Sequence, residues 1–232
     1  MSEKKTILNV KDITMQFGGV VAVNNLTLKV REGEIVSLIG PNGAGKTTAF
    51  NVITGVYAPT NGEVKFHGKT IISNFPKGKM DKLYAGENKG KYKKTLEPTP
   101  DKITKLGIAR TFQNIRLFSE MTALDNVKVG MHNDMKCSFI SSLLRLPPYF
   151  KAEKRANEKA MELLDFMGLK DVAHVKAGSL PYGVQRRLEI VRALATNPAI
   201  LLLDEPAAGM NPSETEDLRK NVEILREKFG VT

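Results

Sequence analysis

Short apolar runs broken by glycine and asparagine dominate the first part of the chain: ILNV at 7–10, LTLKV at 26–30, EIVSLIG at 34–40 and EVKF at 63–66. Such runs between turn residues predict β-strands, and together a strand-rich N-terminal layer. The period then changes. LGIARTFQ at 106–113 predicts one more strand running into a loop, and Thr122 with Asp125 resembles a capping box that opens a helix. From Lys151 to Met167 the apolar positions Ala156, Ala160, Leu163, Leu164 and Met167 keep helical spacing until Gly168 stops them. The expected organisation is a helical subdomain at 119–180 inside a core built from 1–118 and 181–232. The last third returns to alternation. SLPYGVQRRLEIVRALATNP at 179–198 predicts a glycine-bearing turn and an amphipathic helix, AILLLDEP at 199–206 a buried strand, and Pro212 to Gly230 a further helix. Strands alternating with helices imply an α/β fold with a mainly parallel sheet covered on both faces.

Composition narrows the class without naming a function. The chain has 232 residues and 41% hydrophobic content, enough for one large domain with a subdomain. Its longest plain apolar run, AILLL at 199–203, falls far short of the ~20 residues a membrane span needs. No apolar segment near the start reads as a secretory signal, so the expected compartment is the cytoplasm. Cys137 is the only cysteine, which excludes an internal disulfide; its expected role is a small buried or half-buried side chain.

The net charge of +10 is unevenly spread. Between Pro76 and Lys105 nine lysines face four acidic residues, with no arginine and only Tyr84 and Tyr92 to stack on a base. That composition favours a solvated insertion over a nucleic-acid groove. Lysines near anionic lipid headgroups are a third reading, at about 1 kcal/mol each.

The sharpest chemical signal is Gly40-Pro41-Asn42-Gly43-Ala44-Gly45-Lys46-Thr47, a complete Walker A pattern between a β-run and the helix-forming KTTAFNVITG. The glycines permit a curl whose N–H groups face the α- and β-phosphates of a nucleotide. Lys46 reaches the β/γ oxygens, Thr47 offers its hydroxyl to Mg²⁺, and Thr48 completes the binding stretch. An ordinary glycine-rich turn is the competing reading, and the flanking strand and helix weigh against it. A second signal agrees: the aliphatic run 200–203 ends in Asp204-Glu205. A buried parallel strand delivers such carboxylates at its C-terminal edge, with Asp204 to orient Mg²⁺ and Glu205 to act on the attacking water as general base.

Walker A, RTFQ at 110–113, the signature-like turn at 180–185 and LLLDEPAAGMNP at 201–212 together resemble the ATP-binding subunit of ABC transporters over essentially the whole chain. More narrowly, GIARTFQNIRLF and DEPAAGMNP resemble the LivG-type ATPase of high-affinity branched-chain amino acid importers. The resemblance implies a P-loop fold with an antiparallel β layer and an inserted helical subdomain. It implies ATP and Mg²⁺ as ligands, and Phe17 stacked on adenine. Gln113 is then expected to join the Mg²⁺ shell, take part in catalysis and sense a membrane partner. The partners implied are membrane permease subunits, a second ATPase subunit, identical or paralogous, and indirectly a solute-binding protein, on the cytoplasmic face of the membrane; no nucleic acid is expected.

The family signature aligns at Leu180-Pro181-Tyr182-Gly183-Val184, where Pro181 replaces a serine and Val184 a glutamine. The expected anion contacts there are the backbone N–H groups of Gly183, Val184 and Gln185, with Tyr182 beside them. Asn211 stands where most of the family has aspartate. Family members carry a switch histidine on a strand after the last helix, and this chain ends at FGVT, so truncation is expected there. Two other readings stay open: a soluble ABC ATPase acting on ribosomes or nucleic acid, and a nucleotide-binding fragment with impaired hydrolysis.

Overall fold

The computed structural model describes residues 5–132 and 146–232; Cys137, expected to be buried or half-buried, lies outside them. The chain divides into two compact units, Met1–Ile108 with Gly230–Thr232, and Ala109–Phe229.

In the first unit, β1 (Thr6–Phe17) and β2 (Val20–Arg31) form a long hairpin, followed by α1 (Lys46–Ile53), β3 (Asn61–Phe66) and β4 (Lys69–Asn74). The sheet order is β2-β1-β3-β4 and every pairing is antiparallel. Its apolar face carries Leu8, Val10, Ile13, Val64 and Ile72, all buried, against which α1 places Ala49, Val52 and Ile53. β1 is irregular where Asp12 takes φ 53°. A Cβ on Gly62 of β3 would lie 2.6 Å from the carbonyl oxygens of Lys11 and Asp12, so only glycine lets the strands cross that bulge.

The run 34–40 departs from expectation: it belongs to no strand, and Ile35, Val36, Leu38 and Ile39 are 49, 48, 38 and 91% exposed. Apolar β-branched content marks a segment that suits a sheet, but a strand exists only where a neighbour pairs with it. Among the described residues none pairs with 34–40, and the one further sheet is the two-stranded pair β5-β6.

The lysine-rich insertion is seated on this sheet rather than simply solvated. It contains α2 (Lys79–Leu83) and α3 (Pro100–Lys105). Leu96 exchanges two backbone hydrogen bonds with Ser73 on the β4 edge, at 3.0 and 2.7 Å. Tyr84 is buried, and the Tyr92 hydroxyl donates to Asp12 Oδ2 at 2.6 Å beside an ion pair from Lys91 to the same oxygen. Neither tyrosine therefore stands free for stacking. Burial raises the Asp12 carboxyl, yet the hydrogen bonds from Lys91 and Tyr92 outweigh it and hold the group below its ordinary value. Burial, then the bond to Asp12, pushes the Tyr92 phenol up. Beyond the second unit, Gly33 N–H donates to Thr232 Oγ1 at 2.9 Å within the first.

The second unit opens within β5 (Ile108–Arg110), which is paired with β6 (Ile200–Leu202), and adds α4 (Ala123–Gly130), α5 (Pro147–Phe166), α6 (Tyr182–Leu194) and α7 (Pro212–Phe229). α5 starts four residues earlier than its apolar spacing predicts, because Pro147 and Pro148 occupy first-turn positions that need no N–H. Gly168, at φ 65°, follows its last turn. Thr122 caps α4 by accepting from Asp125 N–H at 3.1 Å, while its hydroxyl donates to the Asp125 carboxylate at 2.6 Å, a variant of the expected capping box. α4 packs on α6 closely enough that a Cβ on Gly130 would lie 2.5 Å from the Arg192 carbonyl oxygen. Among the described residues no helix is long and apolar enough to cross a membrane.

Asp12→Asn keeps a residue that tolerates positive φ but removes the charge facing Lys91. Urea denaturation at pH 7 should show a loss of about 1 kcal/mol. A carboxylate with a lowered pKa stabilises above its unfolded value, here the ordinary 3.8, and that contribution is lost as pH falls through the folded value. The difference between wild type and variant should accordingly close in acid below that point.

Candidate functional site

The Walker A loop is built by positive-φ glycines around the start of α1. Gly43 and Gly45 take φ 82° and 83°, and Gly45 is the N-cap of α1. A Cβ on Gly45 would fall 2.3 Å from the Ala22 carbonyl oxygen, so the loop lies directly on β2. Pro41, Asn42, Gly43 and Ala44 are exposed, whereas Lys46, Thr47 and Thr48 are half-buried at the helix start. Lys46 Nζ donates to the Gly40 and Pro41 carbonyls at 2.7 and 2.9 Å, holding a cation over the curl. Phe17, 44% exposed, ends β1 opposite Val20, two residues before the strand position that Gly45 touches. Its ring meets Tyr57 edge-on at 5.4 Å. Tyr57 had no distinguishing sequence signal beyond its place just after α1.

The second unit assembles the carboxylates. Gln113 Nε2 donates to Glu205 Oε2 at 2.9 Å, bringing together two side chains separated by 92 positions. Asp204, 2% exposed, accepts from Arg110 NH2 at 2.9 Å in an ion pair buried on both sides. Beneath them lies Arg186 of α6, fully buried. Its guanidinium donates to the backbone carbonyls of Asp204, Glu205 and Pro206 at 2.7, 3.0 and 3.3 Å, and to Phe112 and Gln113 on the other loop. Glu189, one turn on, supplies the countercharge at 2.7 Å. Glu205 itself sits at φ 46°, a region that costs a side-chain-bearing residue about 1–2 kcal/mol. Sequence reasoning passed over Arg186 and Glu189; the available signal was a pair of opposite charges three residues apart on the apolar face of a helix.

At the signature turn, two of the three expected amides carry intrahelical bonds. The N–H groups of Val184 and Gln185 already donate to the Pro181 carbonyl, at 3.0 and 2.9 Å, because an N-cap carbonyl accepts the first bonds of its helix. Tyr182 and Gly183 carry the amides at the very start of α6, and Gln185 Nε2 closes the turn on the Leu180 carbonyl at 2.7 Å. A Cβ on Gly183 would stand 2.5 Å from Glu214 Oε1, and one on Gly209 would stand 3.0 Å from the Tyr182 ring. Asn211 and Glu214 exchange backbone-to-side-chain bonds, each 2.9 Å, in a reciprocal cap of α7. Asparagine at 211 therefore does a structural task of its own.

These features coincide with a family model described as ABC transporter, which matches residues 23–208. The chain belongs to the ABC transporter family. It is an ABC-type ATPase domain with the P-loop α/β fold that the motifs implied. It is 43% identical over 228 residues to BraF of Pseudomonas aeruginosa, a high-affinity branched-chain amino acid transport ATP-binding protein, covering 98% of this chain and 80% of BraF. With LivG of Salmonella typhimurium, of the same description, identity is 42% over 227 residues, covering 97% and 79%. Among solved structures, the ADP conformation of MJ1267, an ATP-binding cassette of an ABC transporter, aligns with TM-score 0.74 at 33% identity, over 98% of this chain and 79% of that one. The dimeric post-hydrolysis state of the cassette MJ0796 bound to ADP and Pi aligns with TM-score 0.72 at 27% identity, over 97% and 84%. Such cassettes bind nucleotide, which fits the glycine curl and Lys46.

The close approach at Gly45 separates two otherwise similar glycines. Gly43→Ala meets open space and should cost only the positive-φ penalty of about 1 kcal/mol. Gly45→Ala must also push β2 away, so denaturant titration should show about 2–3 kcal/mol lost. Affinity for a fluorescent ATP analogue should fall more for Gly45→Ala than for Gly43→Ala; equal losses would remove the argument.

Proposed function

We propose that this chain is the ATP-binding and ATP-hydrolysing subunit of a membrane importer for branched-chain amino acids. The contact between Gln113 and Glu205 carries the hydrolytic half of the reading, because it pairs an amide with a carboxylate at the end of a buried strand. The relatives BraF and LivG, matched along almost the whole chain, support the transported class.

In this reading the Walker A amides and Lys46 take the phosphates, and Lys46 exchanges the Gly40 and Pro41 carbonyls for β- and γ-phosphate oxygens. Phe17, with Tyr57 bracing its edge, provides the flat apolar surface for adenine. Thr47, Gln113 and Asp204 each carry a hard oxygen donor of the kind Mg²⁺ takes. Because Gln113 points its nitrogen at Glu205, its amide oxygen faces elsewhere and is suited to a cation. When bound, Mg²⁺ neutralises charge on the phosphate oxygens.

Glu205 accepts the proton of the attacking water, and Gln113 holds that carboxylate in position. The γ-phosphate of a nucleotide bound by a second subunit, identical or paralogous, is met by the start of α6, through the Tyr182 and Gly183 amides and the positive helix end. The permease subunits receive the closure through Gln113 and the helical segment after it, which places the chain peripherally on the cytoplasmic face. The solute-binding protein acts on the permease and never touches this chain.

Three variants test the reading. Lys46→Ala should lose ATP binding, measured by equilibrium titration. Glu205→Gln should keep ATP affinity while hydrolysis falls at least about 100-fold, and ATP should hold it as a dimer in size-exclusion chromatography. Gly183→Asp should bind ATP as wild type yet fail to dimerise, since its carboxylate adds to Glu214 at the helix start. Undiminished turnover in Glu205→Gln overturns its role as base.

A further inference from the structure

We propose that Arg186 is a positioning residue for hydrolysis: it sets the loop bearing Gln113 against the turn bearing Glu205. This inference rests on the ATPase reading above and deepens it.

Three segments of the second unit converge on this one guanidinium. NH2 donates to the carbonyls of Asp204 and Glu205, and Nε to that of Pro206. NH1 donates to the carbonyls of Phe112 and Gln113 and to the Glu189 carboxylate. An arginine has five N–H donors in a planar fork, and here all three nitrogens are used. The acceptors belong to the backbones of the two loops whose side chains meet at the Gln113–Glu205 contact. Glu189 Oε1 also accepts from Phe112 N–H at 3.4 Å, so the countercharge holds the same loop as the arginine.

Two observations show that this arrangement has to be imposed. Glu205 occupies positive φ and is followed by proline, which disfavours helical backbone before it; without anchored carbonyls the turn would relax towards an extended form and swing its carboxylate away. Arg186 is also fully buried with its charge matched by a carboxylate only 2% exposed, so it has no solvent-facing alternative position. Lysine at 186 would keep the charge facing Glu189 but could not reach both loops, having one nitrogen in place of three. Arg186 stands four residues into α6, the helix whose start is the signature turn. The position of that helix is thereby transmitted to the catalytic pair of the same subunit.

The test is a double-mutant cycle between Arg186→Lys and Gln113→Ala. Arg186→Lys should leave the KM for ATP within about 3-fold and lower kcat by about 30-fold, as small displacements of catalytic groups do. In the Gln113→Ala background the same change should lower kcat by less than about 3-fold, because the contact it positions is already gone. Should Arg186→Lys melt below the assay temperature, Arg186→Gln replaces it in the cycle. Independently of turnover, amide exchange in residues 111–114 and 204–208 should quicken by about 10-fold in the variant, with α5 unchanged. An unchanged kcat, an equal loss in both backgrounds, or unaltered exchange in those two loops overturns the proposal. The ATPase reading fails separately, if Lys46→Ala hydrolyses ATP as wild type does.

Discussion

A buried arginine with its carboxylate is the constraint from which the second unit takes its form. Taking a guanidinium and a carboxylate out of water costs several kcal/mol for each ion, and one salt bridge does not recover that unless the remaining donors are satisfied. Arg186 and Glu189 meet the condition by spending the remaining donors on backbone carbonyls from two loops. The desolvation cost therefore becomes a requirement on geometry: the loops after β5 and β6 must present carbonyls at this point or the ion pair is untenable. That requirement places Gln113 beside Glu205 and stabilises the positive φ of Glu205.

Among its described residues the first unit meets its constraint without buried charge. Here backbone runs against backbone at Gly45 on β2 and Gly62 on β1, with no room for a Cβ at either. The Walker A curl is thus rigidly referred to the long hairpin that also carries Phe17. The lysine-rich insertion adds a surface tie at Asp12, where a single carboxylate oxygen serves both Lys91 and Tyr92. Most of the excess positive charge in this segment stays exposed, so the anchoring relies on few of its lysines.

What the sequence made legible followed from local rules. Glycine spacing located the Walker A loop, the aliphatic run located Asp204 and Glu205, and turn residues located the antiparallel layer. The run at 34–40 was misread because a short apolar, β-branched run reports suitability for a sheet and says nothing about which neighbour supplies the hydrogen bonds. That the N-cap carbonyl of Pro181 takes the amides of Val184 and Gln185 was not legible either, because it depends on the dihedral angles of one residue. Arg186 was invisible because its role lies in contacts to residues 18 and 74 positions away. Charge on an apolar helix face was the trace it left.

Three of the side chains proposed to meet ATP or act on it are already satisfied from within their own unit. Lys46 rests on two loop carbonyls, Asp204 on Arg110 and Glu205 on Gln113. Ligand binding is then an exchange of partners, and its net gain is the difference between two sets of hydrogen bonds rather than their sum. For Lys46 the exchange is favourable, since two neutral carbonyls give way to charged phosphate oxygens, which form stronger bonds. For Asp204 it is more nearly balanced, because a buried arginine already neutralises it. In the proposed reading, the exchange at Lys46 contributes to nucleotide affinity, while Asp204 and Glu205 are kept in place by partners of their own.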